Sequence, residues 1–198
     1  MNTLYIDLES SDLLHRDLPL DHPSQPWAIS IAAELVMDDG RSWFMHLPIR
    51  SEGRPIAAGA EAVHGVSTRQ AASVGVNEIP VLGTLCGLAE NASCVVGHGI
   101  PFDRDVVTSL LMRKGKNTRM WTMAGLEFVD TMTAAAPLCR LPGASDSGEF
   151  KWPSLDEACS ILLGMEPREG PHSAWEDLQR TRRLHEHLVR ERVLEIAA

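Results

Sequence analysis

Leu4-Tyr5-Ile6-Asp7-Leu8-Glu9 is the stretch that decides the fold of this 198-residue chain. Its apolar residues alternate with Tyr5, Asp7 and Glu9, and this period of two predicts a buried strand whose two carboxylates point to the same face. Like charges this close repel each other, so a fold keeps such a pair mainly where a cation lies between the acids. The stretch therefore predicts either a divalent metal site or a solvated strand edge with two unrelated acids.

The composition of the chain fits one globular domain, which we expect to span residues 1–198. The chain is 44% hydrophobic, which is enough for one sizeable core at this length. Its formal net charge of −9 argues against non-specific, charge-driven binding to a nucleic acid backbone, although metal ions would neutralise clustered acids in the working protein. No apolar run reaches the length of a membrane span, so we expect a cytoplasmic protein that contacts no membrane.

The cysteines give no sign of a metal site or a disulfide framework. Cys86, Cys94, Cys139 and Cys159 lie far apart in mostly apolar contexts. They have neither the CxxC spacing of a zinc site nor the density of a disulfide scaffold. We expect buried free thiols in a reducing compartment.

The order of strand and helix signals predicts an α/β fold with a mixed sheet flanked by helices. Segments 27–37 and 42–49 form a predicted antiparallel hairpin, so the first three strands make a meander. Further along, apolar β segments at 94–96 and 126–129 alternate with segments of helical spacing. The predicted helices cover residues 60–64, 79–91, 102–114, 131–138, 154–163 and the segment from 173 onward.

Two further acids lie in contexts similar to that of the first pair. Asp103 follows a Gly- and Pro-rich turn at the start of a predicted helix, where strand ends normally place active-site residues. The alternative is that Asp103 interacts with the helix macrodipole, a contribution of about 0.3 to 1 kcal/mol. His172 precedes the last helix and Asp177 follows five positions later, so both can face one small site. Taken alone, a loop histidine is more often an ordinary surface residue.

The ordered set of Asp7-Leu8-Glu9, Phe102-Asp103 and His172 with Asp177 resembles the three motifs of the DEDDh 3′-to-5′ exonucleases. The order and spacing agree along nearly the whole chain. The resemblance implies a ribonuclease H-like (exonuclease) fold with a mixed five-stranded sheet flanked by helices.

Two positions depart from the family pattern. Family members often have Thr-Thr-Gly after the first acids, whereas Ser10-Ser11-Asp12 follows Glu9 in this chain. Family members usually have Asn three residues before the phenylalanine of the second motif, where this chain has Gly99. Neither change removes a metal ligand.

The resemblance implies a metal-dependent enzyme that removes nucleoside 5′-monophosphates from the 3′ end of DNA, single-stranded by expectation. Asp7, Glu9, Asp103 and Asp177 would hold two Mg²⁺ or Mn²⁺ ions, because hard oxygen ligands suit hard divalent cations. His172 would act as general base and remove a proton from the attacking water, a task that its near-neutral intrinsic pKa suits.

Four further residues are expected to bind the substrate. Leu8, Ser10 and His64 lie at positions that family members use near the terminal nucleotide, and Phe102 of the second motif is added to them, although packing in the core is the alternative for this side chain. The partners that the resemblance implies are 3′ ends of single-stranded DNA or RNA and a separate polymerase or repair protein. No sequence feature decides the oligomeric state.

Two rival functions remain open from the sequence. A 3′-to-5′ exoribonuclease of the same family would use the same four acids and the same histidine. A non-catalytic nucleic-acid-binding module with a decayed site is disfavoured because all five candidate residues are present.

Overall fold

A mixed five-stranded sheet forms the centre of the fold, as the sequence predicts. The structure, a computed structural model, describes residues 1–119, 121, 126–143 and 149–194. The strands in these residues are β1 (Thr3–Ser10), β2 (Ala28–Val36), β3 (Ser42–Pro48), β4 (Cys94–Gly97) and β5 (Glu127–Asp130). They lie in the order β3-β2-β1-β4-β5, with β1, β2 and β3 antiparallel to their neighbours in the meander. β4 and β5 are parallel to β1, which confirms the mixed sheet.

Seven helices flank the sheet in the part of the chain that the structure describes. They are α1 (Ala58–His64), α2 (Thr68–Val74), α3 (Glu78–Ala89), α4 (Ile100–Arg113), α5 (Thr131–Cys139), α6 (Leu155–Leu163) and α7 (Ala174–Arg190). Six of them are predicted from the sequence to within a few residues. The exception is α2, although Ser67 and Gln70 form a capping box at its start, a signal that is visible in the sequence.

The two faces of β1 pack against different helices. Leu4, Ile6 and Leu8 belong to the main hydrophobic core, which also contains residues of α3 and α4. On the other face, Tyr5 packs with Ala174 and Leu178 of α7. Because Asp7 and Glu9 share the face of Tyr5, they project toward the layer that contains α7.

Two further sequence predictions concern free cysteines and membrane-spanning helices. All four cysteines are free, as predicted, and Cys94 and Cys159 are buried while Cys86 and Cys139 are half-buried. Within the described residues, no helix combines the length and the apolar character that crossing a membrane requires.

Candidate active site

The first pair of acids lies beside small residues of the neighbouring strand. In the antiparallel register, Asp7 is opposite Ala32 and Glu9 is opposite Ser30 on β2. The register shifts between Glu9 and Ser10, where β1 ends its regular pairing. The small partners leave space above the two carboxylates, and the side chains that fill it come from other elements.

Asp177 is brought to this space by the first turn of α7. Ala174 and Leu178, on either side of it in the helix, are fully buried against the sheet. Its backbone N–H donates to the carbonyl of Ser173 at 2.9 Å, so the carboxylate is fixed at the helix start. The motif spacing that the sequence suggested therefore places the acid of the third motif beside the first two.

Asp7, Glu9 and Asp177 form a compact acid cluster. One carboxylate oxygen from each residue lies within 4.8 Å of the others. Burial, followed by the charges of Asp103, Asp177 and Glu9, raises the pKa of Asp7 well above its ordinary value. Burial and the charge of Asp177 raise the pKa of Glu9 to about 7. Burial also raises the pKa of Asp177, although the charge of Arg168 opposes this effect.

The acid cluster fits a divalent metal ion. Its donors are all carboxylate oxygens, which are the ligands that Mg²⁺ and Mn²⁺ prefer. Glu9 is only 9% exposed, and its Oε1 atom has no hydrogen-bond partner within the described residues. A buried acceptor without a partner is rare in proteins unless an ion or water completes it. Asp7, Glu9 and Asp177 can therefore hold a metal ion.

Asp103 lies next to the acid cluster but outside the group of oxygens at ligand distance. It is 5% exposed in the first turn of α4. Burial raises its pKa well above the ordinary value, while the backbone amides of Asp103 and Leu8 act in the opposite direction. Its charge also raises the pKa of Asp7, so the two carboxyl groups lie within electrostatic reach of each other. The structure thus groups three of the four predicted acids and places the fourth beside them.

A hydrogen-bonded turn positions the start of α4. Gly99 adopts the left-handed conformation at φ 75°, which is accessible to glycine and to asparagine more readily than to other residues. Its N–H donates to Oδ1 of Asp130 at 2.8 Å, and the same oxygen caps α5 by accepting from the N–H of Met132 at 2.9 Å. Gly99 therefore supplies the backbone shape of this turn despite the departure from the family pattern.

His172 lies against the acid cluster on the solvent side. Its Nδ1 atom is 3.4 Å from Oδ2 of Asp177, and its side chain is 41% exposed. Its backbone N–H donates to the carbonyl of Val63 at 2.9 Å, which ties the histidine loop to the end of α1. Gly65, at φ 72°, ends α1 so closely against Pro171 that an added Cβ atom would lie 3.2 Å from the proline ring. The end of α1 thus helps to position His172.

Arg168 is a site residue that the sequence did not reveal. Its side chain is 7% exposed, and its Nη1 atom contacts Oδ1 of Asp177. Its Nε and Nη2 atoms donate to the two carboxylate oxygens of Asp156, each at 3.1 Å. These partners lie nine and twelve residues away on α7 and α6, so no local pattern in the sequence signals the arrangement.

Two cavities open on either side of the acid cluster. One, of about 420 Å³, is lined by Glu9 and by all four predicted substrate-binding residues, Leu8, Ser10, His64 and Phe102. His64 is 5% exposed, its Nδ1 atom accepts from the N–H of Val66 at 3.0 Å, and burial lowers its pKa. The other cavity, of about 280 Å³, is lined by polar and charged residues that include Asp7, Asp156, Arg168, His172 and Asp177.

Comparison with known proteins identifies the fold. No protein-family model and no curated protein sequence matches the chain. Among solved structures it is similar to E. coli exonuclease I in complex with a dT13 oligonucleotide, with a TM-score of 0.72 and 18% identity over 96% of this chain. The chain has the fold of exonuclease I. The predicted resemblance to the DEDDh exonucleases is confirmed at the level of the fold.

Two further exonuclease I structures give the same result. A product-bound structure matches with a TM-score of 0.68 and 17% identity over 97% of this chain and 44% of the other. A complex of exonuclease I with SSB-Ct matches with a TM-score of 0.70 and 16% identity, over 97% of this chain and 42% of the other. The chain spans about 41% of the exonuclease I chain that was solved with dT13.

Proposed function

We propose that the chain is a metal-dependent 3′-to-5′ exonuclease that removes nucleoside 5′-monophosphates from single-stranded DNA. The observation that carries this proposal is the acid cluster, in which Asp7, Glu9 and Asp177 present oxygens within 4.8 Å of one another beside His172. The cluster lies on a fold shared with exonuclease I, which has been solved with single-stranded oligonucleotides and in a product-bound form.

In this proposal the four acids have one shared task. Asp7, Glu9 and Asp177, together with Asp103, hold two Mg²⁺ or Mn²⁺ ions, and the ions supply Lewis-acid stabilisation of the charge that develops on the phosphate. Without cations the four carboxylates repel one another, and burial together with this repulsion raises the pKa values of Asp7 and Glu9. The acids therefore favour cation binding at the point where the phosphodiester is hydrolysed.

His172 is proposed to move the proton. Its Nδ1 atom faces Oδ2 of Asp177, and this contact orients the ring so that Nε2 can accept a proton from the attacking water. The exposure of the ring supports this role, because a general base must exchange its proton with solvent after each cycle. Asp177 would thus serve both the ions and the histidine.

The larger cavity is proposed to hold the terminal nucleoside. Leu8 and Phe102 give it apolar walls against which a base or sugar can pack, and His64 and Ser10 add polar groups at its edge. Glu9 lies in the same wall, so a nucleoside in this cavity would place its phosphate at the acid cluster. A pocket for one nucleoside fits removal of a single nucleotide from a chain end.

The domain extent, the compartment and the partner of the proposed enzyme are inferred from further observations. We propose that residues 1–198 form one exonuclease domain, and that it acts in a reducing compartment such as the cytoplasm, because all four cysteines are free. Exonuclease I has been solved in complex with SSB-Ct, which supports a separate protein as a partner of this chain, and we propose a polymerase or a repair protein in that role.

The proposal is tested by cleavage of a 5′-labelled single-stranded DNA oligomer in Mg²⁺, in Mn²⁺ and in EDTA. We expect a ladder that shortens from the 3′ end, depends on metal and is absent for Asp7→Asn. A parallel RNA oligomer decides between DNA and RNA as the substrate, since the two differ at the 2′-hydroxyl of the terminal sugar. Binding of DNA without any cleavage in Mg²⁺ or Mn²⁺ would contradict the proposal and support a binding module.

A further inference from the structure

Both oxygens of Asp177 are engaged within the protein. Oδ1 contacts Nη1 of Arg168, and Oδ2 faces Nδ1 of His172 at 3.4 Å. A carboxylate that ligates a metal ion must offer it at least one oxygen. A divalent ion that binds Asp177 must therefore share its carboxylate with Arg168 and His172 or displace one of them.

The guanidinium of Arg168 is held in place by contacts apart from the one with Asp177. The guanidinium is 7% exposed, whereas the ring of His172 is 41% exposed. Its Nε and Nη2 atoms make a bidentate pair with Asp156 at 3.1 Å each, a geometry that fixes the plane of the guanidinium. The anchor on Asp156 uses Nε and Nη2, whereas the contact with Asp177 uses Nη1, so the two do not compete for the same nitrogen.

The charge of Arg168 lies where the acid cluster needs a cation. In the described part of the chain, Arg168 is the one arginine or lysine that pairs with Asp177. Arg180 also pairs with Asp156, with Nη1 at 3.2 Å from Oδ1, but it makes no ion pair with Asp177. Arg168 and Arg180 thus both pair with Asp156, and of the two Arg168 alone also pairs with Asp177.

We propose that Arg168 is the resident counterion of Asp177 in the metal-free protein and must release this carboxylate before a divalent ion can bind it. Metal loading then exchanges one cation for another, with Asp156 retaining the guanidinium in the smaller cavity. This inference rests on the proposed function, because it assumes that Asp177 is a metal ligand. It makes Arg168 a positioning residue that sets the metal affinity of the site.

The test is calorimetric titration of Mn²⁺ into the metal-free protein, with no nucleic acid present. Arg168→Gln removes the competing charge and is expected to bind Mn²⁺ about five- to tenfold more tightly than the wild type. Its metal-free form is expected to melt at a lower temperature than the wild type, since Asp177 loses a partner. Mn²⁺ is expected to raise the melting temperature of this variant by more than it raises that of the wild type. Arg168→Lys keeps the charge but cannot make the bidentate pair with Asp156, so its Mn²⁺ affinity should increase by a smaller factor.

Arg180→Gln is the matched control, because it removes the same charge from the same anchor, Asp156. Its Mn²⁺ affinity is expected to stay within about twofold of the wild type. The inference is overturned if Arg168→Gln and Arg168→Lys leave the affinity unchanged or weaken it, or if Arg180→Gln gives an equal gain. A wild type that binds Mn²⁺ and cleaves DNA while the variants show no gain overturns this inference alone. A wild type that binds no Mn²⁺ overturns the proposed function as well.

Discussion

The protonation of Glu9 makes the free energy of unfolding of the metal-free protein depend on pH. In the metal-free protein its pKa is raised to about 7 by burial and by Asp177, so between pH 4.5 and 7 the folded state binds more protons than the unfolded state. The free energy of unfolding therefore decreases as the pH rises through this window, the opposite of the behaviour of a salt-bridged carboxylate. The contribution of Glu9 to this decrease is on the order of 2 kcal/mol.

Thermal unfolding in EDTA between pH 5 and 7.5 checks this expectation. Glu9→Gln removes the titrating group, so its melting temperature should fall less than that of the wild type over the same range. Glu176→Gln, an exposed site on the first turn of α7, is the matched control and should follow the wild type. Parallel curves for the wild type and Glu9→Gln would mean that Glu9 is not protonated in the folded protein at pH 5.

Replacement of His172 distinguishes proton transfer from metal binding. His172→Ala should lower the rate of hydrolysis by about two to four orders of magnitude, as expected for a missing general base. Mn²⁺ affinity, measured by calorimetry, should remain close to that of the wild type, because the acids stay in place. His46→Ala, at an exposed position on β3, is the control. A collapse of Mn²⁺ affinity in His172→Ala would instead identify the histidine as a ligand.

At the level of single residues, the sequence predicts acids better than it predicts their counter-charges. The alternation of apolar and polar residues in β1 is enough to place Asp7 and Glu9 on one face of the strand. The partner of Asp177 cannot be predicted in this way, because Arg168 reaches it through a loop whose path depends on how α6 and α7 pack. Likewise, the spacing of Asp103 predicts its place at the start of α4 but not its distance from the other acids.

The turn between β4 and α4 is the element that positions Asp103, and Asp130 holds it. Asp130→Ala removes the acceptor for the N–H groups of Gly99 and Met132, and should lower the free energy of unfolding by about 1 to 2 kcal/mol. Because the start of α4 is then less well fixed, the rate of hydrolysis should also fall.

Denaturant unfolding and the cleavage assay measure the two effects of Asp130→Ala. Asp130→Asn keeps an acceptor oxygen at the same place and should retain most of the stability and rate. Asn77→Ala, which removes the side-chain cap of α3, is a control that lowers stability without removing a contact of the turn before Asp103. An Asp130→Ala protein with wild-type stability and rate would show that the turn does not depend on this acceptor.

At the level of elements, periodicity and capping signals predict most of the fold. The capping box of Ser154 and Glu157 predicts the start of α6, and the structure has both of its hydrogen bonds. The helix α2 has the same kind of signal at Ser67, but it is seven residues long and only one of its residues is buried. A helix this short has almost no apolar stripe, so periodicity does not indicate it.

At the scale of the whole molecule, the net charge of −9 leads us to expect that binding of DNA depends on metal. His172→Ala, which should load metal but hydrolyse slowly, is the protein for this measurement. Fluorescence anisotropy with labelled single-stranded DNA should give an affinity at least about tenfold higher in Mn²⁺ than in EDTA, because bound cations would offset the negative charge of the acids near the phosphates. Equal affinity in EDTA would locate the binding surface away from the acid cluster.

The order of motifs along the chain predicts the fold of the whole molecule. Three acidic motifs, a meander and a mixed sheet are each weak signals, but together they occur in the sequence order of one fold, and the similarity to exonuclease I confirms it. Substrate choice cannot be predicted in the same way. In the proposed function it depends on the shape of the cavity around Leu8, His64 and Phe102, which residues from separate elements form together.

The most direct test of the account is the first product released in Mg²⁺ from single-stranded DNA that carries a label in its 3′-terminal nucleotide. We expect that the label leaves as a nucleoside 5′-monophosphate in the first turnover, that Asp7→Asn releases none, and that circular DNA of the same sequence stays intact. Cleavage of the circle, or release of the label in a longer fragment, would contradict it.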